Sequence, residues 1–157
     1  MPIHSNIDVF FAIAEEAHAK MHVALAEHMT PHEDGRPGYL ITWDPDRRSF
    51  KNAMIVIAFC GMFLDSFLYL LLLDRLGDEK SSKVDRLEHE KRLEALGITD
   101  AALLNRVAAF REARKDLMHE KAIELSSLAG TPIRKAQSTA DSAIALMRDI
   151  RCLLVAA

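Results

Sequence analysis

The sequence has little of what interrupts helices or builds strands. It contains six glycines and five prolines among 157 residues, and aromatic residues make up only 6%. This composition excludes a collagen-like or low-complexity chain, and the scarcity of aromatic residues leaves few candidates for β-strands. Because half of the residues are hydrophobic, the sequence predicts one globular domain, spanning residues 1–157, that is built from helices.

Neither an excess of positive charge nor a cysteine framework is present. The 20 lysines and arginines are outnumbered by 23 acidic residues, which gives a net charge of −3. Such a chain has no overall attraction for nucleic acid or anionic membranes, so any such binding needs a local basic patch. The two cysteines, Cys60 and Cys152, lack the spacing of a disulfide framework, and the first residues lack the pattern of a signal peptide. We therefore expect a cytoplasmic protein.

One long apolar run, from Ala53 to Leu73, has the length of a transmembrane helix and contains a single charged residue, Asp65. A carboxylate near the middle of a membrane span is costly, and the sequence has no second span to shield it. A helix that is apolar on all sides also suits the centre of a helical bundle. The run is therefore predicted to be the buried central helix of a protein that does not enter the membrane.

Apolar periodicity, capping residues and helix-breaking residues together predict an all-α bundle of four or five helices. The central helix is the longest of them, and the first and last helices each carry one apolar stripe. The predicted elements are a helix from Ile7 to His28; a loop from Thr30 to Arg48 with an extended piece from Tyr39 to Trp43; a helix opened by Asp44 and Pro45 and ending near Leu76; a helix from Ser82 to Leu96; a helix capped by Thr99 and running from Asp100 to His119 or to Leu128; and a helix from Ile133 to Val155.

The densest group of basic residues lies in the fourth predicted helix, where Arg111, Arg114 and Lys115 precede His119. An arginine followed by four residues and a histidine resembles the R-x4-6-H motif of HEPN domains. These are helical bundles found in prokaryotic toxins, CRISPR effectors and other nucleic-acid defence systems. Asp65 resembles the acidic residue that many members carry on the helix before the motif. The resemblance covers most of the chain and implies an HEPN-like fold.

The resemblance also implies an RNA-binding protein that acts as a metal-independent endoribonuclease and needs no cofactor. His119 would act as a general acid or base, Arg114 would neutralise charge on the phosphate, and Asp65 would orient Arg114 through an ion pair. Arg111 and Lys115 would add positive charge for binding RNA. Because members of the family usually dimerise so that two motifs face each other, a homodimer is implied, with a protein antitoxin as a further partner.

The residues themselves leave alternatives open. On an ideal helix, a five-residue offset places Arg114 and His119 about 140° apart, so either the helix breaks there or two copies share the site. The residue after Arg114 is Lys115, where the family most often has asparagine, and the basic residues alternate with acidic ones as on a solvated helix face. The alternative function is a non-catalytic helical interaction module that dimerises and docks a partner protein.

A second enzyme-class alternative comes from His18 and His22, which stand one turn apart on the first predicted helix. Such a pair can hold zinc or nickel with a third ligand, for which Glu15 and His89 are candidates. A solvated pair without metal is the simpler interpretation, because the local sequence offers no carboxylate at an offset that fixes both rings. The sequence therefore predicts no metal at the functional site.

Overall fold

The computed structural model describes residues 6–42, 44–119 and 131–155. Over these ranges the chain is mostly helical, which confirms the predicted all-α class, and it has six helices rather than four or five. The elements are α1 (Ile7–Ala26), β1 (Met29–Pro31), β2 (Tyr39–Ile41), α2 (Arg48–Leu76), α3 (Asp78–Val84), α4 (His89–Ala95), α5 (Ala101–His119) and α6 (Thr131–Val155).

The core forms around α2, against which α1 and α6 make the most extensive contacts. On α1 the buried residues recur at intervals of three and four, because one face of that helix is apolar and turns towards α2. The largest fully buried side chains are Met21, Val56, Ile57, Phe63, Leu64, Leu68, Leu72, Leu93, Ile144, Leu146, Met147 and Ile150.

One face of α2 is not covered by the described residues. Ile55, Met62 and Tyr69 repeat every seven residues, and each is 39% exposed. We call these three residues the α2 stripe. By length and hydropathy α2 is also long enough to cross a membrane, and 44% of its most apolar part is buried inside the bundle. The predicted central helix is therefore present, but it is not buried on all sides.

The helices α1 and α6 run antiparallel and are joined by ion pairs. Arg151 Nη2 lies 3.1 Å from Asp8 Oδ1, and Arg148 Nη2 lies 2.8 Å from Glu15 Oε1. Residues that come later in α1 thus pair with residues that come earlier in α6. This register sets which side chains of the two helices meet farther along the interface.

The connection between α1 and α2 contains an antiparallel hairpin in which Thr30 pairs with Leu40. The predicted extended piece beginning at Tyr39 is present as β2. Its partner β1 was not predicted, because three residues that include a proline carry no strand pattern. Trp43 lies outside the described residues.

The start of α2 differs from the prediction. Pro45 lies in a turn, and Arg47 takes the left-handed conformation with φ of 51° before the helix begins at Arg48. Asp44 nevertheless stabilises the start of α2. Its Oδ2 accepts hydrogen bonds from the backbone N–H of Ser49 at 3.1 Å and from the Ser49 hydroxyl at 3.3 Å. The carboxylate thus satisfies an N–H group that has no partner inside the helix.

At the start of α5 the capping residue is Asp100 and not Thr99. Asp100 Oδ1 accepts hydrogen bonds from the backbone N–H groups of Ala102 and Leu103 at 2.9 and 3.4 Å. An aspartate is as good a capping residue as threonine, so the sequence alone did not decide between neighbouring positions. The end of α2 at Leu76, by contrast, is where the sequence placed it.

The predicted single helix from Ser82 to Leu96 is wrong, because the structure has two short helices, α3 and α4, with a turn between them. Leu87, in the turn, is 47% exposed, and its carbonyl accepts a hydrogen bond from Arg92 Nε at 2.8 Å. The turn brings His89 into the protein, where it is only 7% exposed. This break positions the side chains of the candidate site.

Candidate functional site

The candidate site is a group of charged side chains around Asp65 of α2. Asp65 Oδ1 accepts a hydrogen bond from His89 Nε2 at 2.7 Å and lies 3.5 Å from Arg92 Nη1, and both partners come from α4. The other oxygen, Oδ2, lies 3.5 Å from Arg114 Nη1 of α5. We call these four residues the Asp65 cluster. Three helices therefore meet at one carboxylate.

Gly61 explains how Arg114 reaches this carboxylate. Gly61 is buried one turn before Asp65 on α2, and a Cβ at its position would overlap the guanidinium of Arg114. The guanidinium thus lies directly against the backbone of α2, in space that only glycine leaves free. Since glycine inside a helix costs roughly 0.5–1 kcal/mol relative to alanine, this contact supplies a reason for its presence.

The charges around Asp65 keep it ionised. Burial raises the pKa of Asp65, but the hydrogen bond and charge of His89, together with the charges of Arg114 and Arg92, outweigh burial and hold the pKa below its usual range. Arg92 divides its charge between two carboxylates, since it also lies 3.1 Å from Asp85. Arg114, with 31% of its side chain exposed, is the cation of the cluster that is open to solvent.

His89 is the buried member of the Asp65 cluster. Its Nδ1 has no hydrogen-bond partner among the described residues, and its Nε2 makes the shortest contact with Asp65. The sequence offered His89 only as a third metal ligand. Its real position depends on the turn between α3 and α4, for which the sequence gives neither a glycine nor a proline as a signal.

Arg111 and Lys115, predicted to bind RNA, have different surroundings. Arg111 lies 2.9 Å from Glu90, 3.3 Å from Glu88 and 2.5 Å from Glu112. The hydrogen bond with Glu90 and the charges of these carboxylates raise the pKa of Arg111. Its charge is therefore compensated within the fold. Lys115 is exposed and forms no ion pair with any residue that the structure describes.

His119 is the last residue of α5, and its side chain lies outside the described part of the chain. The helix is continuous from Ala101 to His119. Arg114 and His119 therefore differ by about 140° around one helix axis. Of the two arrangements that the sequence left open, a break between these residues is not present.

A second group of side chains joins α1 to α6. His18 Nε2 and His22 Nε2 lie 2.7 and 2.8 Å from the same atom, Asp141 Oδ1. The two nitrogens lie 3.3 Å from each other. We call His18, His22 and Asp141 the α1–α6 histidine cluster. The ligand atoms of the three residues lie close enough to one another that together they could hold a metal ion.

Neither of the two candidate third ligands, Glu15 and His89, belongs to this cluster. Glu15 pairs with an arginine of α6, and His89 belongs to the Asp65 cluster. The residue that does complete the group, Asp141, lies 123 positions from His18 in the sequence. Local spacing therefore could not identify it, because the contact depends on how α6 packs beside α1.

Of the three residues predicted to be catalytic, Asp65 and Arg114 are in contact, so the predicted ion pair is present. The catalytic roles of Asp65, Arg114 and His119 stay predictions. Comparisons of the chain with protein-family models, with curated proteins and with solved structures found no match.

Proposed function

We propose that the protein is an HEPN-like RNA-binding homodimer that cleaves RNA without a metal ion in the reaction, as part of a toxin–antitoxin or defence system. The observation that supports this function best is the position of Arg114. Its guanidinium is held against Gly61 and Asp65 while part of the side chain stays exposed. A guanidinium fixed in this way offers a planar set of donors to a phosphate with little further loss of entropy.

In the proposed reaction, the 2′-hydroxyl of RNA attacks the neighbouring phosphorus, the bond to the 5′-oxygen breaks, and a cyclic phosphate is left. Arg114 neutralises the charge that develops on the phosphate oxygens. His119, whose role follows from the resemblance to HEPN domains, takes the proton from the hydroxyl or gives one to the leaving oxygen. Asp65 acts as a positioning residue, since it contacts Arg114 and not the RNA.

The homodimer is part of the proposal because Arg114 and His119 lie about 140° apart around the axis of a single α5. Across a two-fold axis, His119 of one copy can face Arg114 of the other. The α2 stripe supports such a contact, because a seven-residue apolar repeat is the spacing at which helices of two copies pack together. Asp65 lies between Met62 and Tyr69 along α2, so this contact would bring the two Asp65 clusters close to the axis.

Cleavage assays on single-stranded and structured RNAs test the proposal. We expect His119→Ala and Arg114→Ala each to lower the cleavage rate by about 10²-fold or more. His32→Ala, which changes a histidine between β1 and β2, is the matched control and should leave the rate within about twofold of the wild type. Circular dichroism checks that each variant is folded. Equal cleavage by all four proteins, or none by the wild type, overturns the ribonuclease function.

A non-catalytic interaction module is the second candidate. It is favoured by the three glutamates that compensate Arg111, and by Lys115 in the position where HEPN domains most often have asparagine. In this case the α2 stripe would hold the dimer, and the bundle would dock a partner such as a protein antitoxin. Wild-type protein that is dimeric but neither binds nor cleaves RNA would select this function.

A further inference from the structure

We propose that the α1–α6 histidine cluster binds one zinc ion, at a site separate from the proposed RNA site. The donor atoms are His18 Nε2, His22 Nε2 and Asp141 Oδ1, and each lies within 3.3 Å of the other two. Two imidazole nitrogens and one carboxylate oxygen are a donor set that Zn²⁺ and neighbouring transition metals favour. The hard cation Mg²⁺ favours oxygen ligands instead.

The spacing of the donor atoms fits an ion of this size. Zinc lies about 2.0–2.1 Å from imidazole nitrogen and about 2.0–2.2 Å from carboxylate oxygen, so tetrahedral ligand atoms are roughly 3.3–3.5 Å apart. The observed separations are 2.7, 2.8 and 3.3 Å. An ion therefore needs Asp141 Oδ1 to move outward by roughly half an ångström. The Asp141 side chain is 48% exposed, which leaves it room to do so.

Hydrogen bonds and a bound cation are alternative ways of satisfying the three atoms. Each Nε2 carries at most one proton, and an ionised carboxylate carries none. If both rings donate their Nε2–H groups to Asp141, Oδ1 accepts both hydrogen bonds with its two lone pairs, and the two nitrogens lie 3.3 Å apart. If one nitrogen is unprotonated, its lone pair faces the carboxylate at less than 3 Å. A single cation attracts all three lone pairs at once.

The packing of α1 against α6 brings these ligands together. His18 and His22 are four residues apart and share one face of α1, with their ring centroids separated by 4.6 Å. Asp141 is placed opposite them by the antiparallel register that the ion pairs of α1 and α6 fix. Since His22 is 52% exposed, the remaining coordination positions of the ion face solvent. We expect water to fill them.

Isothermal titration with ZnCl₂ tests the site on the full chain, without a histidine tag and after treatment with a chelator. We expect one zinc ion per chain with a dissociation constant below about 100 μM, and no measurable binding of Mg²⁺. Asp141→Asn and His22→Gln should each weaken zinc binding at least tenfold, whereas the control His32→Ala should not change it. A wild-type dissociation constant above about 100 μM, or affinity unchanged in both variants, overturns the proposal.

Cobalt substitution gives a second readout that reports the ligands directly. Co²⁺ held by two imidazoles, a carboxylate and water in a low-coordinate site absorbs visible light more strongly than octahedral aqueous Co²⁺. We expect this stronger absorption in the wild type and its loss in Asp141→Asn. A spectrum like that of aqueous Co²⁺ in the wild type contradicts the site. RNA cleavage should be unaffected in Asp141→Asn, so failure of the zinc site and failure of the proposed function are separate results.

Discussion

Asp65 is the single charged residue in the apolar run from Ala53 to Leu73, and it stays ionised because His89, Arg92 and Arg114 surround it. Its pKa in the folded protein is lower than the ordinary value of about 3.9. A group with a lowered pKa binds protons less well when the protein is folded than when it is unfolded. Its contribution to stability is therefore complete above about pH 4 and is lost as the pH falls through the folded-state pKa.

We therefore predict that Asp65→Asn lowers the free energy of unfolding by about 1–2 kcal/mol at neutral pH, a range that allows for partial exposure of the ion pairs. The difference from the wild type should shrink as the pH falls below about 4. Urea unfolding at a series of pH values measures it. Asp74→Asn, an exposed carboxylate on the same helix, is the control. A difference that stays constant down to pH 2 would contradict the lowered pKa.

The sequence predicted the pairing of Asp65 with Arg114 and the proximity of His18 and His22, but not the remaining members of the two clusters. One carboxylate inside an apolar run needs a cation, and the resemblance to HEPN domains indicated which one. His89 and Asp141 could not be identified in the same way. The first depends on a turn, and the second on the packing of two helices from opposite ends of the chain.

The break between α3 and α4 is a helix boundary that the local sequence pattern does not predict. The stretch from Ser82 to Leu96 is rich in residues that favour helices and contains no glycine or proline. The break is stabilised by contacts from elsewhere, because Arg92 bonds to Asp85 and Leu87 before it and to Asp65 on α2. Such tertiary contacts override helix propensity and are not visible in the local sequence.

The contact between α2 and α5 gives a second prediction. We expect Gly61→Ala to leave the fold intact, because the clash falls on a flexible side chain and alanine favours the helix by about 0.5–1 kcal/mol. Arg114 would nevertheless lose its place against α2. RNA cleavage, measured beside the melting temperature, should therefore fall about as far as in Arg114→Ala while the melting temperature changes by only a few degrees.

A double substitution separates this effect from a general disturbance of α2. If Gly61 acts only through Arg114, the combined Gly61→Ala and Arg114→Ala variant should cleave RNA no more slowly than Arg114→Ala alone. Additive losses would mean that Gly61 matters for a different reason, such as the position of α2 itself. Full activity in Gly61→Ala would show that the contact between Arg114 and α2 is not needed.

For the whole molecule, the all-helical class and the central place of α2 could be predicted, because a long apolar run must be covered by other helices. Which side stays uncovered could not be predicted. When a helix is apolar on all sides, its sequence does not indicate which side will be exposed. The exposed side of α2 is set by the packing of α1 and α6 against it. The number of helices was underestimated because the local sequence does not indicate the break between α3 and α4.

The α2 stripe leads to a prediction about assembly. We expect wild-type protein to dimerise in solution, and Met62→Glu to raise the dimer dissociation constant at least tenfold, because it places a charge in an apolar contact. Sedimentation at several concentrations measures this. Val9→Glu, at a residue of α1 that is 54% exposed, is the control. A wild type that stays monomeric, or equal effects of both substitutions, would rule out the stripe as the dimer contact.

His18 and Asp141 belong to the first and last helices and are separated by 123 residues. A link between them closes most of the chain into one large ring. The entropy that the unfolded chain loses when a loop is closed grows with loop length by about 0.6 kcal/mol for each doubling, so a distant link restricts the unfolded chain somewhat more than a local one. Zinc bound by His18, His22 and Asp141 would thus link α1 to α6 reversibly. Such a link has the same topology as a long-range disulfide but uses no cysteine.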